Sequence, residues 1–216
     1  PLYSSAASDV YKRQNICGPE GPSIDEDGNV YFNTYLPCFP NDGIWIIPSG
    51  TTTEALKVVN PFTVVGQGTN FLTKGTFAGQ LIAAGHDNDA TQPEKIGIFI
   101  APVINTSGVV NAQRLIDLSS NSSLGLHQPM GVAVDRKGDI FVSSANTGKI
   151  LQFDPEGNFI RDFVTGLFAP RHIAFDIDDN LYVSDAQVGI WKITPDGNKG
   201  AGPIWNFPGA NGIDVE

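Results

Sequence analysis

One motif recurs along this chain and limits the folds that the chain can adopt. It starts with Pro or Ala, usually has Gly two positions later, and continues through alternating apolar residues to Asp or Glu. The last three copies start 41 and 40 residues apart, and the first starts 110 residues before the second. The four copies are Pro19–Asp25, Pro129–Asp135, Pro170–Asp176 and Ala210–Glu216. Such repetition is typical of domains built from stacked copies of one structural unit.

A turn and two further strand patterns follow each complete copy. The turns contain Asp, Asn and Gly, which supply the positive φ angles of tight hairpins. The second strands are predicted at Val30–Phe32, Ile140–Val142 and Leu181–Val183, and the third at Gly43–Ile47, Gly148–Phe153 and Gly189–Ile193. Three antiparallel strands and an outer fourth in about 40 residues correspond to one propeller blade.

The repeat therefore predicts an all-β fold, a β-propeller, over residues 15–216. The composition of the whole chain, with 24 Gly, 15 Pro and one Met, favours short strands joined by tight turns. The chain should hold about four blades and the first strand of a fifth, so we expect the natural protein to continue beyond Glu216. The expected blades are 15–60, 61–120, 121–165 and 166–206, with the next starting at 207–216. The second blade is divergent, with strands predicted at Phe77–Ala84 and Lys95–Ala101 around a long loop. A β-sandwich is the alternative fold, but whole motifs do not recur in sandwiches.

Residues 1–14 do not belong to this pattern. Ser4–Gln14 resembles the in-frame translation of a sequencing adapter, so we expect residues 1–14 to be a non-native segment. A polar native terminus is the alternative. Any signal peptide that preceded Asn15 would have been lost with the native terminus.

Charge and cysteine content narrow the partners and the compartment. The formal net charge is −10, and such a surface repels phosphate backbones, so we expect no nucleic-acid partner. No apolar run approaches the roughly 20 residues that cross a bilayer. Cys17 and Cys38 could form a disulfide, which would favour an extracytoplasmic or secreted location, or remain two buried thiols. The pattern leaves the oligomeric state open.

The chemistry of the site is predicted from one repeated position. The residue just before the innermost strand of each blade should lie at the mouth of the central channel. This position holds Glu20, Met130, Arg171 and Asn211, and we assign Asn70 to it from the second blade. Carboxylate and carboxamide oxygens from Glu20 and Asn211 suit a divalent metal such as Ca²⁺, Mg²⁺ or Mn²⁺. Ca²⁺ is the first choice, and Zn²⁺ is a further one.

The remaining ring residues are predicted to bind substrate. The planar guanidinium of Arg171 could hold an anionic or polyhydroxylated ligand, with Met130 and Asn70 beside it. Arg171 could instead be a solvated charge at the rim, and Glu20 could cap backbone N–H groups. His172, one position further, is predicted to be a packed core residue.

A family resemblance supports this assignment. Pro19-Glu20-Gly21-Pro22, followed by the segment 27–32, resembles the opening of the senescence marker protein, gluconolactonase and luciferin-regenerating enzyme family. In those six-bladed propellers, the Glu of Glu-Gly-Pro binds a divalent metal, and the Asn of a Pro-Asn-Gly motif is a second ligand. Ala210-Asn211-Gly212 is similar to the second motif without its proline, and the third ligand would lie beyond Glu216. The resemblance implies a metal-dependent hydrolase of lactones or similar small esters, with a sugar-derived substrate.

Two alternative functions stay open. The third and fourth blades also resemble NHL repeats, in Gln128–Asp135 and Gly148–Asp154, which implies a non-catalytic propeller that binds protein or glycan. A streptogramin-type lyase shares the blade pattern but needs channel histidines that the sequence does not place. The chain has no Gly-x-Ser-x-Gly motif and no Cys/His pairing suited to covalent catalysis.

Overall fold

The computed structural model describes a set of antiparallel sheets with no helix among its described residues. The described residues are 19–34, 43–50, 55–59, 68–85, 96–102, 109–119, 123–124, 128–210, 212–213 and 215, with the side chains of 19–21 excluded. The predicted adapter-derived segment 1–14, Cys17 and Cys38 lie outside them. No helix in this described part is long and apolar enough to cross a bilayer.

Sixteen strands form four sheets of four, each in chain order. The first sheet contains β1 (Pro19–Ile24), β2 (Val30–Thr34), β3 (Ile44–Ile47) and β4 (Leu56–Val59). The second contains β5 (Thr69–Phe71), β6 (Leu81–Gly85), β7 (Gly97–Ala101) and β8 (Gln113–Asp117). The third contains β9 (Pro129–Val134), β10 (Ile140–Ser144), β11 (Lys149–Phe153) and β12 (Phe159–Val164). The fourth contains β13 (Pro170–Phe175), β14 (Leu181–Asp185), β15 (Gly189–Ile193) and β16 (Trp205–Asn206).

These sheets are the blades of a propeller, which confirms the predicted fold class. The first strand of each sheet is its innermost strand, and the innermost strands of consecutive blades contact one another. Within each blade, neighbouring strands pair antiparallel, as the hairpin turns require.

The second blade departs from the predicted strand positions. Its innermost strand is β5, where no strand was predicted, and the strand predicted from Phe77 begins only at Leu81. A turn fills the space between them, because Gly79 N donates to Leu72 O at 2.7 Å and Leu72 N donates to Gln80 O at 2.9 Å. β5 has three residues, which is too short for an alternating pattern to stand out in the sequence.

The core consists of apolar layers between facing sheets. Successive side chains of a strand point to opposite faces of its sheet, and each face of a middle blade packs against a neighbouring blade. Both faces of a middle blade are therefore buried. Aromatic edge-to-face contacts link consecutive blades, with ring centroids 5.3 Å apart for Tyr31 and Phe71 and 4.8 Å apart for Phe141 and Phe175. The layer between the third and fourth blades includes Ala133, Phe141, Ile150, Phe163, Ile173, Leu181, Val183, Trp191 and Ile193.

Aspartates close the hairpins at the end of the molecule where the innermost strands finish. In the fourth blade, Asp176 Oδ1 accepts from Asp178 N at 3.0 Å and from Asn180 N at 2.8 Å. The Asn180 amide also donates to both carboxylate oxygens. Burial acts to raise the pKa of Asp176, but the Asn180 and Asp178 hydrogen bonds outweigh it and hold this pKa below its ordinary value. Asp25 and Asp154 make equivalent bonds, and their pKa values are lowered in the same way despite burial.

Asp135 occupies the same place in the third blade, but its pKa is raised and not lowered. Its Oδ1 alone accepts from Lys137 N and Asp139 N, both at 2.9 Å. Burial raises the pKa of Asp135, and the backbone hydrogen bonds do not outweigh it. This carboxylate lacks the asparagine amide that assists Asp25, Asp154 and Asp176, because Asp139 stands where those turns have Asn.

Glycines allow the innermost strands to approach closely. A Cβ on Gly131 of β9 would lie 2.3 Å from Arg171 O and 3.2 Å from His172 Cα of β13. A Cβ on Gly68 would lie 2.9 Å from Val132 N and 3.3 Å from Gly131 Cα. Only a residue without a side chain fits at these two points, so the backbones of adjacent blades meet directly.

We predict that Gly131→Ala destabilises the protein by about 2 kcal/mol or more, because the clashing atoms belong to backbone and cannot rotate away. Gly202→Ala is the matched control, since a Cβ there meets nothing within 4 Å. Equilibrium denaturation with urea measures both changes. Equal stability of the two variants would contradict the close approach.

We also predict opposite pH trends for two aspartates. Asp176→Asn should cost about 1 kcal/mol at neutral pH, since it weakens several hydrogen bonds to the carboxylate. That cost should shrink as pH falls through the lowered folded-state pKa, because the parent then loses the stability that its carboxylate contributes. Asp135→Asn should cost nothing at neutral pH, because Oδ1 keeps both bonds and a buried charge disappears.

The unfolding free energy of the three proteins, measured between pH 2 and 7, tests this pair. As pH falls, the unfolding free energy of the parent should decrease relative to that of Asp176→Asn and increase relative to that of Asp135→Asn. Parallel curves for the two variants would show that hydrogen bonding does not set these pKa values.

Candidate functional site

The strand register aligns the first residues of the innermost strands at one end of the channel. Counting back from Ile24, Val134 and Phe175, which pair with the first residues of β2, β10 and β14, places Glu20, Met130 and Arg171 at one position. Each of the three strands has a register irregularity at or directly after this position. The close approach of Gly131 to Arg171 O brings two of these positions together.

Met130 and Arg171 differ in how they fill this end of the channel. Met130 is buried, with 6% of its surface exposed. Arg171 is partly buried, and its buried Nε has no hydrogen-bond partner among the described residues. A buried guanidinium N–H without a partner costs free energy, and an acceptor brought by a ligand would relieve that cost.

The other predicted site residues lie elsewhere or outside the described part. Only the backbone of Glu20 is described, and in β1 it pairs with Asn33 of β2. Asn211 lies outside the described residues. Gly68 occupies in the second blade the place that Gly131 occupies in the third, so the register places Asn70 two residues further along the innermost strand and not at the ring position. Asn70 instead lines a groove of about 600 Å³ beside the first hairpin, with Asp27 and Phe71 among its walls. The prediction of Asn70 as a ring residue is therefore wrong in register.

Buried polar side chains on the second strands link one blade to the next, and the sequence analysis missed them. Ser143 Oγ of β10 accepts from Gly131 N at 2.8 Å and donates to Arg171 O in the next blade. Asn33 occupies the same place on β2, and its Nδ2 donates to Gly68 O at 3.4 Å. A signal was present in the sequence, because polar pairs end the apolar second strands at 33–34, 143–144 and 184–185.

In the fourth blade, His172 stands at the position that Gly131 occupies in the third blade and Gly68 in the second. Its Nδ1 lies 2.7 Å from Ile213 O and 3.3 Å from Ile213 N. Its backbone N donates to Ser184 Oγ at 3.0 Å. The prediction of a packed core histidine missed this contact with the residues that follow the fourth blade.

The described residues do not form a complete metal centre by themselves. No three His, Cys, Asp or Glu side chains among them are grouped so that they could hold a metal ion. The hairpin carboxylates are occupied by their own turns.

Comparisons with solved structures identify the architecture. A gluconolactonase from Xanthomonas campestris aligns with 76% of this chain and 53% of its own, at a TM-score of 0.57 and 15% identity. A chain of the nidogen/laminin complex aligns with 86% of this chain and 64% of its own length, at a TM-score of 0.61 and 18% identity. An inactive H270A virginiamycin B lyase from Staphylococcus aureus aligns with 85% of this chain and 54% of its own length, at a TM-score of 0.52 and 18% identity.

This chain has the β-propeller fold. At these identities the similarity shows the fold alone, and the chain spans between half and two thirds of each structure. No protein-family model matches it. One sequence relative, the E3 ubiquitin-protein ligase TRIM56 of Bos taurus, is 34% identical over 79 residues, which are 33% of this chain and 11% of that protein.

We predict that Ser143→Ala destabilises the protein by about 2 kcal/mol, because it leaves a buried N–H and a buried carbonyl without their partner. Ser49→Ala at an exposed turn is the control and should change stability by less than about 0.5 kcal/mol. Thermal unfolding followed by calorimetry compares the two. A negligible effect of Ser143→Ala would mean that this serine does not link the blades.

Proposed function

We propose that this propeller is a divalent-metal-dependent hydrolase of lactones or similar small esters. The observation that carries the proposal is the alignment of Glu20, Met130 and Arg171 on three innermost strands. A carboxylate, an apolar thioether and a guanidinium at one channel mouth offer the three kinds of contact that a small polar ester needs. The fold similarity to a gluconolactonase is compatible with this activity.

The metal would be held by the Glu20 carboxylate and the Asn211 carboxamide. Such oxygen donors suit a hard cation, with Ca²⁺ as the first choice. Arg171 belongs to the same ring, and its positive charge opposes a nearby cation, so the negative charge of Glu20 is essential to the proposed site. When bound, the metal would polarise the lactone carbonyl and lower the pKa of a coordinated water.

Arg171 would orient the substrate. Its guanidinium donates in a planar fork, which matches a carboxylate or a pair of hydroxyl groups. The unpartnered Nε is a donor that such a substrate could satisfy. Met130 would form an apolar wall beside the ester, since its side chain is buried and carries no charge.

A non-catalytic propeller that binds protein or glycan is the second candidate. The 79-residue sequence similarity to TRIM56 favours it, because a ubiquitin-protein ligase acts on proteins. The two proposals differ in whether removal of Glu20 changes metal binding and lactone hydrolysis.

We predict that Glu20→Gln lowers Ca²⁺ and Mn²⁺ affinity at least about tenfold, because the site loses its charged ligand while the residue keeps its shape. Isothermal titration calorimetry measures the affinity, and a pH-stat with an aldonolactone measures hydrolysis. The unfolding free energy should change by less than about 1 kcal/mol, since the substitution is nearly isosteric.

Glu26→Gln is the matched control. Glu26 is exposed in the hairpin that follows the same strand, so its substitution removes one negative charge far from the channel mouth. If both variants bind metal as the parent does, or if the parent hydrolyses no lactone, the hydrolase proposal fails and the binding-module proposal becomes the better one.

A further inference from the structure

The segment that joins β12 to β13 places an exposed aromatic side chain beside the channel mouth. It enters β13 at Pro170, one residue before Arg171, so it lies at the end of the propeller where the innermost strands begin. Phe168 is 57% exposed, whereas Leu167 before it is 6% exposed and packs in the core between the third and fourth blades. More than half of Phe168 is therefore open to solvent at this end.

A buried carboxylate fixes the backbone of Phe168. Asp185 is 0% exposed, and its Oδ2 accepts from Phe168 N at 2.8 Å. Its Oδ1 accepts from Ala169 N at 3.1 Å and from Gln187 N at 3.0 Å. A buried carboxylate is costly unless hydrogen-bond donors compensate its charge, and here backbone N–H groups of two loops compensate it. Asp185 therefore holds the loop before β13 against the loop after β14.

Backbone hydrogen bonds on both sides of Phe168 complete this arrangement. Leu167 N donates to Gly148 O and Ala186 N donates to Ala169 O, both at 3.0 Å. The residues before and after Phe168 are thus held in place as firmly as Phe168 itself. An aromatic side chain on a fixed backbone can contact a ligand at a low cost in conformational entropy, since little remains to be ordered on binding.

Phe168 and Arg171 offer two different contacts at the same mouth. Phe168 presents an exposed apolar ring, and the buried Nε of Arg171 has no hydrogen-bond partner among the described residues. The two residues are three positions apart in the chain, so their Cα atoms are at most about 11 Å apart. An aryl group favours contact with the phenyl ring, and a carboxylate or ester oxygen favours the guanidinium. One small molecule that carries both groups can therefore use both residues.

We propose that Phe168 is a specificity-determining residue, and that the channel mouth selects ligands with an aryl ring close to a carboxylate or ester group. The inference rests on the proposed hydrolase function for its reaction, and it names aryl-fused lactones as the substrate class. In that reaction, water adds to the lactone carbonyl carbon, and the bond from that carbon to the ring oxygen breaks. One proton of the water goes to the released phenolic oxygen, and the other goes to solvent as the product carboxylate forms.

The test measures binding of a product acid, so that its result does not depend on catalysis. Isothermal titration calorimetry compares melilotate, the acid that hydrolysis of dihydrocoumarin releases, with gluconate, which has a carboxylate and hydroxyl groups but no aryl ring. The parent should bind melilotate at least about tenfold more tightly than gluconate. Phe168→Ala should bring the two affinities to within about twofold of each other, because the stacking surface is lost. Phe168→Tyr should keep the preference, because it keeps the ring.

Phe159→Ala is the matched control, since Phe159 is 45% exposed at the hairpin end of β12, and it should leave the preference unchanged. A parent that binds melilotate no more tightly than gluconate, or a preference that survives Phe168→Ala, overturns the inference. Hydrolysis of dihydrocoumarin and gluconolactone is measured separately in a pH-stat. If the parent hydrolyses neither lactone but shows a preference that depends on Phe168, the inference stands and the hydrolase proposal fails. Hydrolysis of gluconolactone without any aryl preference gives the reverse result.

Discussion

The structure depends on the direct contact between the backbones of its innermost strands. Gly68 and Gly131 leave no room for a side chain against the next blade, and Ser143 and Asn33 add hydrogen bonds across the same contacts. These links lie at the end of the channel where the innermost strands begin. Because each blade is held to the next at this end, the residues beside the glycines occupy equivalent places around one opening.

The two ends of the propeller differ in how their charges are used. At the hairpin end, Asp25, Asp154 and Asp176 accept hydrogen bonds from their own turns, and this lowers their pKa values despite burial. Part of the acidic excess of the chain therefore closes hairpins and is not available for a ligand. At the opposite end, the buried Nε of Arg171 has no partner among the described residues. Ligand chemistry is better supported at this mouth than at the hairpin end.

Propellers with the same strand arrangement carry very different functions, so the side chains at the mouth must decide the function of this one. The solved structures that resemble it include a gluconolactonase, a lyase and a chain of the nidogen/laminin complex. The fold is compatible with a hydrolase and with a binding module alike. Glu20 distinguishes the two proposals, since the proposed cation site requires its carboxylate and a binding surface does not.

The sequence by itself determined the blade pattern, because the first, third and fourth blades repeat a local pattern of alternating apolar residues followed by Asp, Asn and Gly turns. It also identified the shared position of Glu20, Met130 and Arg171, since each is the second residue of its copy of the repeated motif. The tertiary structure decided the strand register of the second blade and the contacts between residues that are far apart in sequence, which a local sequence pattern cannot specify. It moved Asn70 away from the ring, because β5 is too short to reveal its register. It also showed that Ser143 joins neighbouring blades and that His172 contacts Ile213 after the fourth blade. Those contacts connect residues 28 and 41 positions apart, and only the stacking of one blade on the next brings their atoms together.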